Sequence, residues 1–263
     1  MDFKDIIFSK EGSVAIITLN RPNSFNALDL NLSEELVSAL EICRNEQGIR
    51  AVILTGSGKA FCSGGDIRYF VQFAKTDPSE PIKQLLEPVN KIIMGIRQMP
   101  KPVIAAMNGP AGGAGMPLAL SCDLRIASTQ VKLKQAYTSL GLAPDAGWSL
   151  FTGLLAGFSR ASEMIFLDPV YDAEQALAMG LVHRVVEPEK LMETARQMAE
   201  QLAGGATRSF AIAKANLNHA FQNLLERQLQ VEQEGVLSAS KTKDYQEGIE
   251  AFLSKRKPSF TGF

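Results

Sequence analysis

The sequence predicts an α/β protein in which a mainly parallel sheet is followed by a largely helical carboxyl-terminal third. Apolar, β-branched runs such as 51–56 and 103–107 each lead through a glycine-containing turn toward a helical pattern. From Gly157 onward, most segments show helical spacing of their apolar residues. A repeated order of strand, glycine turn, helix and strand favours right-handed parallel crossovers covered by helices.

The amino-terminal elements follow in chain order. Residues 6–9 and 14–19 are short β-branched runs separated by Lys-Glu-Gly, which predicts a hairpin. After the turn RPNSFNALD, helical spacing begins at about Ser33. The further predicted elements are strands over 51–56, 103–107 and 124–127 and a short buried helix over 116–122.

The chain contains no low-complexity linker and no repeat of the length found in repeat proteins. We therefore expect residues 1–200 to form one packed core. Residues 201–263 are expected to form a helical region that serves oligomerisation.

Composition argues against several classes of function. The 263 residues are 46% hydrophobic and 21% charged, as in ordinary soluble globular proteins. A net charge of -1 without a long basic block gives no footprint for nucleic acid. No apolar stretch reaches the ~20 residues that a membrane helix needs, and the amino terminus shows neither a signal nor a transit pattern.

The three cysteines, Cys43, Cys62 and Cys122, suggest neither a disulfide framework nor the paired spacing of a zinc site. We therefore expect a reducing compartment, the cytoplasm, and no metal site.

Two glycine-rich turns, 56–67 and 108–119, each follow an apolar strand and precede a helix. Backbone amides at such turns can form a nest for an anion or for an oxygen that develops negative charge. Neither turn has the P-loop pattern, and neither has the full dinucleotide-binding pattern. Close packing of the backbone is the alternative explanation for these glycines.

In order, the segments RPNSFNAL, AVILTGSGKAFCSGGDI, KPVIAAMNGPAGGAGMPLALSCDLRIAS, LGLAPDAG and YQEGIEAFLSKRKPSFTG resemble the crotonase family of enoyl-CoA hydratases and isomerases. The resemblance covers essentially the whole chain. It implies a repeated ββα superhelical core, a trimerising helical carboxyl-terminal part and, as ligand, an acyl-CoA thioester. Coenzyme A then enters as part of the substrate, with no separate cofactor, and the assembly is a homotrimer or a dimer of trimers.

The resemblance also implies an oxyanion hole made of one amide from each turn, those of Gly65 and Ala114, with Gly113 beside them. Removal of a proton next to a thioester places negative charge on the carbonyl oxygen, and each well-aimed donor can supply ~3 kcal/mol to that transition state.

The chain departs from the hydratase pattern at two positions. Pro117 and Tyr137 stand where hydratases carry glutamates, and neither is an effective base at neutral pH. The remaining carboxylate, Asp145, matches the proton-transferring acid of the isomerase members, including those that resemble ring 1,2-epoxyphenylacetyl-CoA isomerase. One base suffices to move a proton from C2 to C4, and apolar neighbours would raise its pKa toward neutrality.

Both aspartates near the turns have a structural alternative. Asp145 is well placed to be the N-cap of the helix that begins at about Trp148, and a carboxylate bound to several amides would be a weaker base. Asp66 is expected to cap the helix that follows the first turn, with its backbone lying at the thioester.

The remaining assignments follow from the resemblance. Tyr137 is expected to line the acyl pocket, with a hydrogen-bond donor or a packed aromatic as the alternatives. Trp148 is expected to contact the acyl group or the core. Residues expected along coenzyme A are Phe25, Ala27, Ser63, Asp66 and Ile67, with Lys257 and Phe260 reaching in from a neighbouring subunit.

Three alternatives stay open. A dehalogenase-like enzyme would use Asp145 as a nucleophile but needs a histidine base where Asn90 stands, and His183 and His219 lie elsewhere in the chain. A serine hydrolase would need a G-x-S-x-G motif, which is absent. A non-catalytic acyl-CoA binding protein would explain Pro117 and Tyr137 but leaves Asp145 without a role.

Overall fold

The structure is a computed structural model that describes residues 3–73 and 77–263. Its strands are β1 (Ile6–Glu11), β2 (Val14–Leu19), β3 (Ala51–Gly56), β4 (Val103–Met107), β5 (Ala111–Gly112), β6 (Leu124–Ser128), β7 (Lys132–Lys134), β8 (Tyr171–Asp172) and β9 (Arg184–Val186). Its helices are α1 (Leu30–Asn45), α2 (Ile67–Phe73), α3 (Glu80–Gln98), α4 (Gly115–Ser121), α5 (Trp148–Ala156), α6 (Phe158–Leu167), α7 (Ala173–Ala178), α8 (Leu191–Gly204), α9 (Thr207–His219), α10 (Gln222–Ala239) and α11 (Lys243–Leu253).

The main sheet has the strand order β1-β2-β3-β4-β6-β9. β1 and β2 form the predicted antiparallel hairpin, and every other neighbouring pair is parallel, as the crossover pattern predicts. β9 was not predicted, because its three residues are too short to show a period. A second, three-stranded sheet joins β5, β7 and β8.

Both faces of the main sheet are covered, which explains why its strands are continuously apolar. On one face, Ile17 and Leu54 belong to the large core that contains α1 and α3. On the other face, Ile16 and Ile53 pack against α8. The buried residues of α8 include three alanines spaced four apart, Ala195, Ala199 and Ala203, whose small side chains let the helix lie close to the sheet.

Two predicted boundaries change. α1 begins at Leu30, earlier than Ser33, because the Asp29 side chain accepts a hydrogen bond from the Leu32 amide at 2.9 Å and fixes the first turn. α8 runs to Gly204, so the predicted division after residue 200 falls inside a helix. The division into a core and an oligomerisation region stays a prediction.

Helices dominate after Gly157, as predicted, from α6 to α11. Within residues 3–73 and 77–263, no helix is both long and apolar enough to cross a lipid bilayer.

The packing of α8 predicts the effect of a larger side chain. Ala199→Leu should lower the free energy of unfolding by about 1–3 kcal/mol, because the added volume has no space between α8 and the sheet. Gln197→Leu on the exposed face of the same helix should change it by less than about 0.5 kcal/mol. Urea unfolding of both variants measures the difference, and equal effects would contradict the close packing.

Candidate active site

The two glycine turns lie in direct backbone contact. The Gly112 amide donates to the Cys62 carbonyl at 3.0 Å. A Cβ atom at Gly64 would lie 2.9 Å from the Gly112 carbonyl oxygen and 3.1 Å from the Ala114 nitrogen. Gly64 also has a φ of +93°, which disfavours any residue with a side chain. The glycines therefore serve close packing, and that packing brings the two turns together.

The amides of Gly65 and Ala114 are free donors at this contact. Both residues line one large cavity, at the points where α2 and α4 begin. In the part of the chain that the structure describes, neither amide donates to a protein acceptor. Such free donors at helix starts suit an oxygen that carries negative charge.

Two asparagines fix the first turn. The buried Asn26 side chain donates to the carbonyls of Ser57 and Ala60 at 2.9 and 2.8 Å. Asn108 donates to the carbonyls of Gly58 and Ala60 at 3.0 and 3.1 Å. Sequence reasoning gave these residues no role, because their partners lie more than thirty positions away.

The cavity has a volume of about 950 Å³. Most of the predicted site residues line it: Phe25, Ala27, Ser63, Gly65, Asp66, Ile67, Gly113, Ala114, Tyr137 and Asp145. Apolar side chains form much of the remaining wall: Phe70, Ile82, Leu85, Leu86, Val89, Leu142 and Val236.

Asp145 places a carboxyl group in this cavity. Its Oδ1 accepts a hydrogen bond from the Tyr137 hydroxyl at 2.7 Å. The residue is half-buried and faces the cavity. Burial raises the pKa of Asp145 from its ordinary 3.8 to about 7, the Tyr137 hydrogen bond opposes this rise, and the negative charge of Glu232 adds to it. A carboxyl group that titrates near neutral pH suits proton transfer.

The capping role considered for Asp145 is wrong. The N-cap of α5 is Gly147, and no side chain at that residue caps the helix. The Glu232 carboxylate from α10 accepts from the amides of Gly147 and Ser149 at 2.6 and 2.9 Å. A distant residue thus caps the first turn of α5. The sequence analysis missed this role, because the helical pattern of α10 does not show which helix its Glu232 side chain contacts.

Tyr137 acts as a donor to Asp145. It is 5% exposed, and burial together with the Asp145 charge raises its pKa well above the ordinary value of 10.0. Tyr137 therefore stays protonated and cannot replace a basic glutamate. Pro117, at the other hydratase position, is buried within α4.

Asp66 has the structural role predicted for it. Its Oδ1 accepts from the Arg68 amide at 3.0 Å, at the first turn of α2. Its Oδ2 binds the Arg21 guanidinium at 3.0 Å, and the same guanidinium binds Asp29 at 2.9 Å. Among the cavity-lining residues that the structure describes, the carboxylates are Asp66 and Asp145. Of these two, Asp66 is neutralised by an arginine.

Trp148 is a core residue and does not contact the cavity, which corrects its predicted acyl contact. It is fully buried, and its indole nitrogen lies 3.3 Å from the Met116 sulfur. Lys257 and Phe260 do not line the cavity within this chain. Their expected contribution to a neighbouring subunit stays a prediction.

Cationic side chains line the cavity near the carboxyl-terminal segment and the first turn. Arg68, Lys255 and Arg256 are exposed. Arg256 also forms an ion pair with Glu247 at 2.8 Å. Sequence reasoning chose Lys257 from the same KRKP run, where the residues that line the cavity are Lys255, Arg256 and Pro258.

The residues that a hydrolytic mechanism would need lie outside the cavity. His183 accepts from the Arg125 amide at 3.2 Å beside the main sheet, and His219 ends α9. Asn90, on α3, is also absent from the cavity lining. Within the described ranges, no group of three or more histidine, cysteine or acidic residues could hold a metal ion.

Comparisons with known proteins agree with this geometry. A family model described as enoyl-CoA hydratase/isomerase matches residues 9–262. A 1,2-epoxyphenylacetyl-CoA isomerase of Escherichia coli (strain K12) is 37% identical over 98% of both chains. A trans-2-decenoyl-[acyl-carrier-protein] isomerase of Streptococcus mutans is 33% identical over 100% of both chains. A solved enoyl-CoA hydratase from Mycobacterium avium subsp. paratuberculosis K-10 is 30% identical, with a TM-score of 0.89 over 99% of this chain and 100% of that one.

The raised pKa of Asp145 predicts how stability depends on pH. Between about pH 4 and about pH 7 the unfolded chain ionises this group while the folded protein keeps it protonated, so folding stability is lost as pH rises through this window. The Asp145→Asn variant has no carboxyl group at this position and does not lose this stability. The free energy of unfolding of the variant minus that of wild type should therefore increase by roughly 2–4 kcal/mol as the pH rises through the window. Denaturant titrations over this pH range measure the difference. A difference that does not change with pH would contradict the raised pKa.

Proposed function

Because the chain belongs to the enoyl-CoA hydratase/isomerase family, we propose that it is an acyl-CoA isomerase that shifts a double bond through a thioester enolate. The predicted crotonase fold is confirmed by the structural likeness to solved enoyl-CoA hydratases. The relatives carry the names of both isomerases and hydratases, so the residues of the site must distinguish the two reactions.

The observation that carries the proposal is the chemistry of the cavity wall. Asp145 lies in the same cavity as two free amides, and the other lining carboxylate, Asp66, is bound to Arg21. A hydratase of the two-glutamate type would need carboxylates where Pro117 and Tyr137 stand. One titratable carboxyl group can shift a double bond, because the same group can take and return one proton.

The proposed steps balance without any co-reactant. The carbonyl oxygen of a 3-enoyl-CoA accepts hydrogen bonds from the amides of Gly65 and Ala114. Ionised Asp145 takes a proton from C2, and the electron pair spreads over the dienolate to the thioester oxygen. Protonated Asp145 returns the proton to C4, which leaves the 2-enoyl-CoA. Each amide is expected to stabilise the enolate-forming transition state by ~3 kcal/mol.

The acyl group is expected to be apolar. The wall formed by Phe70, Leu85, Leu86 and Val89 offers an apolar surface next to the free amides. A ring-type substrate such as an epoxyphenylacetyl-CoA is included in the proposal, since a relative bears that activity in its name. The cations Arg68 and Lys255 suit the phosphates of coenzyme A at the exposed side of the cavity.

Asp145→Asn tests the reaction. The variant keeps a side-chain oxygen for the Tyr137 hydroxyl but cannot take a proton, so isomerisation of 3-enoyl-CoA should fall by about 10²–10⁴-fold. The assay follows double-bond migration and water addition with 3-enoyl-CoA, 2-enoyl-CoA and epoxyphenylacetyl-CoA. Asp172→Asn, which alters the half-buried N-cap of α7 outside the cavity, is the matched control and should react like wild type.

Each outcome of this assay separates the alternatives. Double-bond migration catalysed by the Asp145→Asn variant at the wild-type rate would show that Asp145 is not the base. Rapid hydration of 2-enoyl-CoA by the wild-type protein would overturn the isomerase proposal. Turnover of none of the three thioesters would favour a non-catalytic acyl-CoA binding protein.

We also propose a homotrimer or a dimer of trimers. Large apolar side chains are exposed on α5 and α6, including Leu154, Phe158 and Phe166, of which the two phenylalanines are 84% and 82% exposed. Exposed apolar groups of this kind mark interaction surfaces. They lie before residue 201, so the proposed interface extends beyond the carboxyl-terminal region predicted from sequence.

Charge substitutions on α6 test the assembly. In the double variant Phe158→Asp and Phe166→Asp, the mass of the assembly in solution should fall from that of three or six chains toward that of one chain. The reason is that the proposed interface would then have to bury two unpaired carboxylates. Gln197→Asp on α8 should leave the mass unchanged. Sedimentation at micromolar concentration measures the mass, and a monomeric wild-type protein would contradict the proposal.

A further inference from the structure

We propose that Glu232 is a positioning residue for the isomerisation: by binding the first amides of α5, it keeps the Asp145 carboxyl free to carry a proton. This inference rests on the function proposed above. Glu232 does not line the cavity, so it acts through Asp145 and does not touch the substrate.

The geometry around Glu232 is that of a remote helix cap. Its Oε2 accepts from the Gly147 amide at 2.6 Å and its Oε1 from the Ser149 amide at 2.9 Å. The Gln228 side chain also donates to Oε1, at 3.3 Å. Glu232 is only 5% exposed, so its carboxylate has few other partners. Helix caps ordinarily come from the residue just before the helix, which makes this arrangement unusual.

The backbone before α5 depends on this cap. Ala146 has a φ of +58° and Gly147 a φ of +81°. The left-handed conformation is unfavourable for alanine by roughly 1–2 kcal/mol, so surrounding contacts must hold it. The two hydrogen bonds that Glu232 accepts from the amides of Gly147 and Ser149 hold this backbone, and the turn leaves the Asp145 side chain on the cavity side, against Tyr137.

Without Glu232, the first amides of α5 would lose their acceptor. Unpaired buried amides cost about 1–3 kcal/mol each, and Asp145 is the acidic residue two positions before the helix cap. Its carboxyl would then be drawn toward the helix, and hydrogen bonds from amides make a carboxylate a weaker base. Glu232 removes this competition.

The charge of Glu232 acts on the same carboxyl. The titratable groups that influence Asp145 are Tyr137, from the turn before α5, and Glu232, from α10. Burial raises the pKa of Glu232 above its ordinary 4.5, but the bonds from Ser149, Gly147 and Gln228 oppose that rise by favouring its charged form. The negative charge of Glu232 then raises the pKa of Asp145. The amide hydrogen bonds that Glu232 accepts favour its charged form, and that charge favours the protonated form of Asp145.

Glu232→Gln separates this role from simple stabilisation. It removes the charge and one acceptor oxygen, so kcat for 3-enoyl-CoA isomerisation should fall by at least about tenfold while KM changes little. The acid limb of the kcat/KM profile, expected near pH 7 for the wild-type protein, should move to lower pH by roughly one unit. Asp172→Asn, which also loses a capping carboxylate but lies away from the cavity, should keep the wild-type kcat and the wild-type acid limb.

A second variant covers the case in which Glu232→Gln does not fold. Glu232→Asp keeps the charge on a side chain too short to reach both amides. Its kcat should therefore fall, and the acid limb should move below pH 7, because the freed amides would bind the Asp145 carboxylate. Wild-type kcat in a folded Glu232→Asp variant would overturn the positioning role, as would an unshifted limb and unchanged kcat in Glu232→Gln. These failures differ from failure of the proposed function, in which the wild-type protein itself would not isomerise any of the thioesters.

Discussion

The carboxylate of Glu232 accepts hydrogen bonds from the amides of Gly147 and Ser149, at the start of α5. This interaction links α10, near the end of the chain, to the loop that holds the proposed base. It leaves the Asp145 carboxyl with the Tyr137 hydroxyl as its side-chain hydrogen-bond partner among the described residues. In an apolar cavity wall, a carboxyl with so few hydrogen-bond donors has its pKa raised by burial, to about 7. The chemistry assigned to the site depends on this separation of two acids.

A second constraint places the charge-stabilising groups beside that carboxyl. The glycine turns approach so closely that a side chain at Gly64 would collide with the second turn. Their contact leaves the amides of Gly65 and Ala114 free at one wall of the cavity. Asn26 and Asn108 hold the first turn from two different loops, and the hydrogen bond from the Gly112 amide to the Cys62 carbonyl joins it to the second turn, so contacts within the protein hold the backbone that carries the amides. Donors fixed in this way do not need to reorganise as charge develops on the substrate.

The sequence predicted the parts of the structure whose causes are local. The hairpin, the parallel strands and the glycine turns follow from β-branched runs and from glycines at the ends of strands. Local reasoning failed where the partner is distant. PDAG before an apolar helix favours Asp145 as a cap, yet the cap comes from Glu232, 85 residues after Gly147. Trp148 shows the same limit, because only the three-dimensional packing against Met116 separates a core position from a pocket position.

The central claim is that Asp145 is an unusually weak acid because it is kept away from its own helix. Selective ¹³C labelling of aspartate side chains and an NMR pH titration would test it directly, with Asp145→Asn used to assign the signal. One aspartate carboxyl signal is expected to titrate near pH 7 and to be absent from the spectrum of that variant. If the Asp145 carboxyl instead titrates near the ordinary value of 3.8, the group is a stabilised carboxylate and the account is contradicted.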